Sequence, residues 1–228
     1  WHALGNTYVV VEPSAGPPLD AGTARELSRD ADGALEVVDA GQDVLEIVIW
    51  NPDGSQAELS GNGTRIAAAW LSARTGARSI RVRVGEREVS ARVLDTGEIE
   101  QALGEVVVGP PEQVDGVELV PVVVGNPHAV VQGDPDDVGR LGPMLETHRR
   151  FPGRTNVQVA RVERPGEVTA RVWERGVGET SSSGTGAVAV AAATHGDGDV
   201  LVHFPGGDLK VRLVRGQAYL TGPAERVS

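Results

Sequence analysis

The chain of 228 residues contains no cysteine. That absence excludes disulfides, thiolate metal sites and thiol catalysis. No apolar run approaches the roughly 20 residues a helix needs to cross a bilayer, so a membrane-spanning segment is not expected. The opening Trp1-His2-Ala3-Leu4 has neither a basic n-region nor a long apolar h-region, so no signal peptide is expected. Basic charge is also in deficit, with 21 Lys and Arg against 32 Asp and Glu and a formal net charge of -11. Nucleic acid and anionic membrane are therefore poor partners, and a small anionic ligand needs locally placed donors. The five histidines form no H-x-x-x-H pair, and nearby carboxylates lack metal-ligand spacing. No catalytic metal is expected.

Glycine is plentiful, at 30 residues, and 40% of the chain is hydrophobic. The glycines have no strict period and apolar runs are frequent, which rules out collagen-like and disordered chains and leaves one large or two small globular domains. Ser60-Gly61-Asn62-Gly63 and Ser183-Gly184-Thr185-Gly186 each run straight into an Ala-rich stretch. Small residues let backbone N–H groups turn toward an anion, and a helix N-terminus adds partial positive charge. Two anion-cradling half-sites follow, with one ligand expected between the two helix starts.

Periodicity predicts strands at 8–11, 44–50, 79–84, 88–94 and 105–108 in the first half, a short helix over 24–29, and a stronger helix from Asn62 that stops at Gly76. The second half predicts strands at 117–124, 129–132, 156–162, 168–173, 199–203 and 209–214, with helices over 136–148 and 187–194, the latter ending at Gly196. The two serines lie about half the chain apart, so the recurring order of strands, Ser-Gly-x-Gly and apolar helix reads as a diverged duplication. This is an α/β fold in which both Ala-rich helices are buried.

Polar residues cluster at the ends of these elements. Asn51 closes a strand before the turn Pro52-Asp53-Gly54-Ser55; it is either an ordinary turn residue or an amide for an amino acid's polar groups. Glu174-Arg175 stands at a strand end before three glycines; it is either a solvated pair or a site in which Arg175 clamps a carboxylate and Glu174 holds an ammonium. His128 follows Gly125-Asn126-Pro127 at the end of an apolar strand, a place for a structural histidine or for a ligand or proton-relay role.

These segments together resemble the diaminopimelate epimerase family, almost end to end. Gly5-Asn6-Thr7-Tyr8 is similar to its opening Gly-Asn-Asp-Phe/Tyr segment. Asn51-x-Asp53-Gly54-Ser55 with Gly61-Asn62-Gly63-x-Arg65 is similar to its first active-site segment. Gly125-Asn126-Pro127-His128, Thr155-Asn156-Val157, Glu174-Arg175-Gly176-x-Gly178-Glu179-Thr180, Gly184-Thr185-Gly186 and Leu220-Thr221-Gly222-Pro223-Ala224 resemble further segments in the family's order.

The resemblance implies two pseudo-symmetric lobes, each a curled, mostly antiparallel sheet around a central helix, with residues 1–115 and 217–228 in one and 116–216 in the other. It implies cofactor-independent conversion of LL- to meso-diaminopimelate, in lysine biosynthesis, by a cytoplasmic homodimer. In the family two cysteines face opposite sides of the substrate's α-carbon; Ser60 and Ser183 occupy those positions. A thiol has a reference pKa of about 8.5, whereas a serine hydroxyl ordinarily needs a separate base, for which Glu174 and His128 are candidates. Impaired activity is one expectation.

By the same resemblance, Asn51, Asn126, Asn156, Glu174 and Arg175 bind the distal amino-acid end of a small zwitterionic substrate. The Gly61-Asn62 and Gly184-Thr185 backbones hold the reacting carboxylate, and Asn6 orients the first acid–base arm. Two alternatives stand beside it: a serine-dependent proline or hydroxyproline racemase or dehydratase, and a noncatalytic amino-acid-binding protein.

Overall fold

The computed structural model describes residues 1–12 and 17–227. The chain divides into an N-terminal unit, Trp1–Ala102 with Thr221–Ser228, and a C-terminal unit, Leu103–Leu220.

The N-terminal unit opens with the small ladder β1 (His2–Ala3) and β2 (Asn6–Thr7). There follow β3 (Val9–Val11), α1 (Ala21–Leu27), β4 (Ala34–Ala40), β5 (Val44–Trp50), α2 (Gly61–Thr75), β6 (Ser79–Val84), β7 (Arg87–Val93) and β8 (Ile99–Glu105), whose first residues belong here. The sheet order is β8-β7-β6-β5-β4-β3. Chain-adjacent strands joined by a tight turn pair antiparallel, while β3 with β4 and β5 with β6 are parallel because α1 and α2 cross between them. Helix α2 packs against β1, β4, β5, β6 and β7. Ile66, Ala67, Ala68, Trp70 and Leu71 of α2 are buried in one core with Leu35, Ile47, Ile49, Ile80 and Val82. A helix apolar nearly all round is a central helix, and the sheet curls around it.

The C-terminal unit contains β9 (Val107–Val108), β10 (Glu112–Val114), β11 (Val117–Val123), β12 (Pro127–Gln132), a 3₁₀ turn at Pro135–Asp137, α3 (Val138–Glu146), β13 (Asn156–Arg164) and β14 (Glu167–Glu174). It continues through β15 (Gly178–Thr180), α4 (Gly184–Thr194), β16 (Gly198–Phe204), β17 (Gly207–Val214) and β18 (Gln217–Gly222), which ends across the boundary. The order is β10-β11-β12-β13-β14-β16-β17-β18, with β9 on β11 and β15 on β14. The parallel pairs are β12 with β13 across α3 and β14 with β16 across α4, so the crossover pattern of the first unit recurs. Helix α4 packs against β11, β12, β13, β14, β16 and β17, and Gly184–Ala191 are buried. Both units are thus mixed, mostly antiparallel sheets around a helix.

Several element boundaries differ from the sequence expectation for local reasons. The strand expected at 8–11 starts at Val9, because the Tyr8 N–H bonds to the Trp1 carbonyl (2.8 Å) instead of a sheet neighbour. The helix expected over 24–29 spans Ala21–Leu27, since the Asp20 carboxylate caps it by accepting from the Thr23 N–H (2.7 Å). The strand expected at 105–108 is the end of β8 and the whole of β9, separated where the Val106 N–H turns to the Gly216 carbonyl (2.8 Å). The helix expected over 136–148 is shorter, a 3₁₀ turn followed by α3. Strand β4 was not expected: a register irregularity between Val37 and Asp39 breaks its alternation.

Candidate active site

Each unit holds one half of the residues singled out above. In the N-terminal unit Ser60 has extended backbone angles (φ -137°, ψ 119°) and is the N-cap of α2, its Oγ accepting from the Gly63 N–H at 3.0 Å. That satisfies one of the donors a helix leaves open at its start. A Cβ on Gly63 would lie 3.3 Å from Ser60 Cβ and 3.2 Å from Leu35, so glycine gives the hydroxyl its close seat. Gly61 and Asn62 open the first turn, both buried. The Asn51 amide donates to Ser55 Oγ (3.0 Å), inside a turn that Asp53 closes by accepting from the Ser55 N–H (2.8 Å). Asn6 is buried on β2.

Three residues the sequence reading left without a role complete this half. Tyr8 Oη lies 3.2 Å from Ser60 Oγ. Arg65, wholly buried, donates to the carbonyls of Pro223 (3.3 Å) and Gly61 (3.2 Å) and to Asn62 Oδ1 (2.6 Å). These partners are neutral oxygens, so a whole positive charge sits just after the first turn of α2. Burial pulls its pKa down to about 9, while Coulombic attraction to Tyr8 pushes it upward. Gln101 is also fully buried; with its amide turned over so that oxygen and nitrogen both find partners, it donates to the Gly61 carbonyl (3.0 Å) and accepts the Arg65 N–H (2.8 Å), fixing the turn. Tyr8 and Arg65 lie inside motifs quoted above; the contacts that define them are long-range, and nothing local signals Gln101.

In the C-terminal unit Ser183 repeats the geometry, with φ -141° and ψ 125°, and its Oγ accepts from the Gly186 N–H at 3.2 Å. Gly184 and Thr185 form the first turn of α4. Asn126 donates to Thr185 Oγ1 (3.4 Å) and accepts from His128 Nε2 (2.8 Å). Burial holds the imidazole neutral, with a pKa of about 3, and the Arg175 charge adds to the drop. A neutral ring donates once. With Nε2–H on Asn126, Nδ1 is an acceptor 3.2 Å from the Gln158 amide, whose otherwise unpartnered Nε2 supplies the donor when the amide is turned over.

Asn156 bridges this half, donating to the Pro127 carbonyl (2.9 Å) and accepting from the Arg175 backbone N–H (3.0 Å). The Arg175 guanidinium reaches the Gly153 carbonyl (3.2 Å), and Glu174 Oε1 accepts from Thr180 Oγ1 (2.9 Å). Glu146, absent from the sequence reading, braces the strand end by accepting from Trp173 Nε1 (2.7 Å) and the Gly176 N–H (2.8 Å). Within this unit the structure therefore joins Asn126, His128 and Thr185 in one chain of contacts, and Asn156 and Arg175 in another. Among the described residues, neither serine hydroxyl bonds to an imidazole or a carboxylate, and no three of His, Cys, Asp or Glu are grouped to hold a metal ion.

In each unit the strands surround a central helix that a serine caps, and the proteins this chain matches include amino-acid epimerases. A family model described as diaminopimelate epimerase matches residues 1–109 and 120–227. The diaminopimelate epimerase of Desulforudis audaxviator is 38% identical over 99% of this chain and 95% of its own length, and that of Moorella thermoacetica is 37% identical with the same coverage. Among solved structures, a hydroxyproline epimerase from Agrobacterium vitis superposes with a TM-score of 0.69 at 14% identity, over 100% of this chain and 88% of that one. The chain belongs to the diaminopimelate epimerase family.

Proposed function

We propose that this chain binds diaminopimelate and moves its α-proton through Ser60 and Ser183 without a cofactor, more slowly than a thiol pair would. The observation that carries this is the equivalence of the two hydroxyls: each is the N-cap of its unit's central helix, accepting from the N–H three residues on. Cap geometry leaves the following N–H groups and the helix dipole for the substrate carboxylate and for charge developing at the α-carbon. In this reading Gly61, Asn62, Gly184 and Thr185 hold that carboxylate, and Asn6 orients the first arm. Asn51, Asn126, Asn156, Glu174 and Arg175 take the distal amino-acid end. His128, neutral and bonded through both ring nitrogens, fixes the Asn126 amide; a proton-transfer role for it or for Glu174 belongs to the same proposal. Family membership supports a place in lysine biosynthesis, a cytoplasmic site and a homodimeric state.

The test is incorporation of solvent deuterium at the α-carbon, run in parallel on diaminopimelate, proline and hydroxyproline. Exchange on diaminopimelate alone is the expected result, and exchange on the cyclic imino acids alone would move the chain to the racemase or dehydratase alternative. The absence, among the described residues, of an imidazole or carboxylate on either hydroxyl favours a second reading, a noncatalytic amino-acid-binding protein. Calorimetric binding of diaminopimelate with no exchange selects it.

A further inference from the structure

A serine that moves an α-proton must pass its own proton on, and the N-terminal unit contains a group in contact with Ser60 that can take it. We propose that Tyr8 is the proton-relay partner of Ser60. This rests on the reading above that Ser60 faces the substrate's α-carbon.

The hydroxyl geometry supports the relay. Ser60 Oγ has one proton and two lone pairs. One lone pair accepts from the Gly63 N–H (3.0 Å), and Tyr8 Oη stands 3.2 Å away, within hydrogen-bond reach of the O–H. Among the described residues the second lone pair has no donor, and it takes the incoming proton. The phenolate form arises by loss of the phenol proton to water. In the step, the α-C–H bond breaks and its electrons stay on carbon; the proton forms a new bond to Ser60 Oγ. The original Oγ–H bond breaks, and that proton forms the Tyr8 O–H bond. Reprotonation of carbon runs the same transfers backwards.

The tyrosine is held in place for this. A Cβ on Gly33 would fall 2.7 Å from Tyr8 Cε1 and 2.5 Å from the Trp50 carbonyl, so the ring lies against glycine backbone that no other residue provides. Arg65 supplies positive charge with no carboxylate among its described partners, and Tyr8 is the group that raises its pKa. A phenol, with a reference pKa of about 10, is closer to working range than an alcohol. Other charges near Tyr8 include Asp32, which accepts from the Thr7 N–H (2.8 Å). Glu12, Arg74 and Arg226 line the same groove as Tyr8. Ser183 has no phenol: among the described residues its Oγ bonds only to the Gly186 N–H. The relay thus predicts exchange through Ser60 in excess of net epimerisation.

The experiment measures α-deuterium exchange on diaminopimelate for Tyr8→Phe in the parent chain and in Ser60→Cys, with thermal melts to establish folding. In the parent, Y8F should lower exchange at least about tenfold and remove its rise with pH, whereas in the Ser60→Cys background the loss should stay under about threefold, because a thiol ionises unaided. Equal losses in both backgrounds would make Tyr8 a structural residue, and no loss, or no exchange in a parent whose S60C S183C form does exchange, would overturn the relay. If S60C S183C also fails to exchange diaminopimelate, the substrate reading is what fails. The relay is then decided by phenolate absorbance in Tyr219→Phe, which leaves Tyr8 as the one tyrosine of the two. Its titration should move on Ser60→Ala, and an unchanged titration would overturn the proposal.

Discussion

Serine and cysteine differ at these two positions by the readiness of the side chain to ionise at neutral pH. Helix-end N–H groups stabilise charge that develops nearby, but they accept no proton and so do not replace a base. Ser60 and Ser183 do carry a structural duty that any hydroxyl fulfils. Replacing either by alanine should cost about 1 kcal/mol of stability through the lost cap, read by urea unfolding. Arg175 carries a separable duty. Arg175→Ala should weaken diaminopimelate binding by about 1.5 to 3 kcal/mol in calorimetry if its guanidinium makes a desolvated carboxylate contact; equal affinities would place it outside the site. The caps were legible in sequence because Ser-Gly-x-Gly before an apolar stretch is a local pattern. Arg65 was quoted only as part of a motif, since its partners Pro223 and Gln101 are distant in the chain.

Among the elements, the end of β14 depends on how α3 lies against it. A Cβ on Gly142 would meet Trp173 Cγ at 2.5 Å, so the helix approaches the indole where only glycine fits, and Trp173 Nε1 reaches Glu146 on the same helix. Gly142→Ala should therefore destabilise the protein by about 1 to 3 kcal/mol through overpacking, and should weaken ligand binding because Glu174-Arg175 follow directly. A melting temperature equal to the parent's would show that helix and strand shift apart at no cost. Helices α2 and α4 followed from composition and punctuation, with α4 starting at Gly184 and not at Ala187 because the Ser183 cap winds the glycines into the first turn. Strand β4 escaped because its residues Ala34–Val37 are buried in succession and a bulge follows, so a period-two search passes over it.

For the whole molecule, buried His128 sets an acid limit. Its pKa falls from 6.5 to about 3 in the folded state, chiefly by desolvation. Between those values the unfolded chain binds a proton that the folded chain does not, so stability is full above pH 6.5 and falls as the pH drops towards 3. His128→Gln should flatten this part of the pH dependence of unfolding, and an unchanged slope would show that other groups carry it. The internal repeat was legible as two serines half a chain apart, whereas the matching parallel crossovers became visible only in the strand pairing. The central claim is that the two serines stand where proton transfer occurs. The most direct measurement is α-deuterium exchange together with chiral product analysis on the parent, Ser60→Cys, Ser183→Cys and the double replacement. The double-cysteine chain should gain roughly 10²-fold or more in both exchange and epimerisation, with each single replacement still impaired in epimerisation because one arm abstracts while the other donates. An active parent whose rates are unchanged by the double replacement would contradict the account.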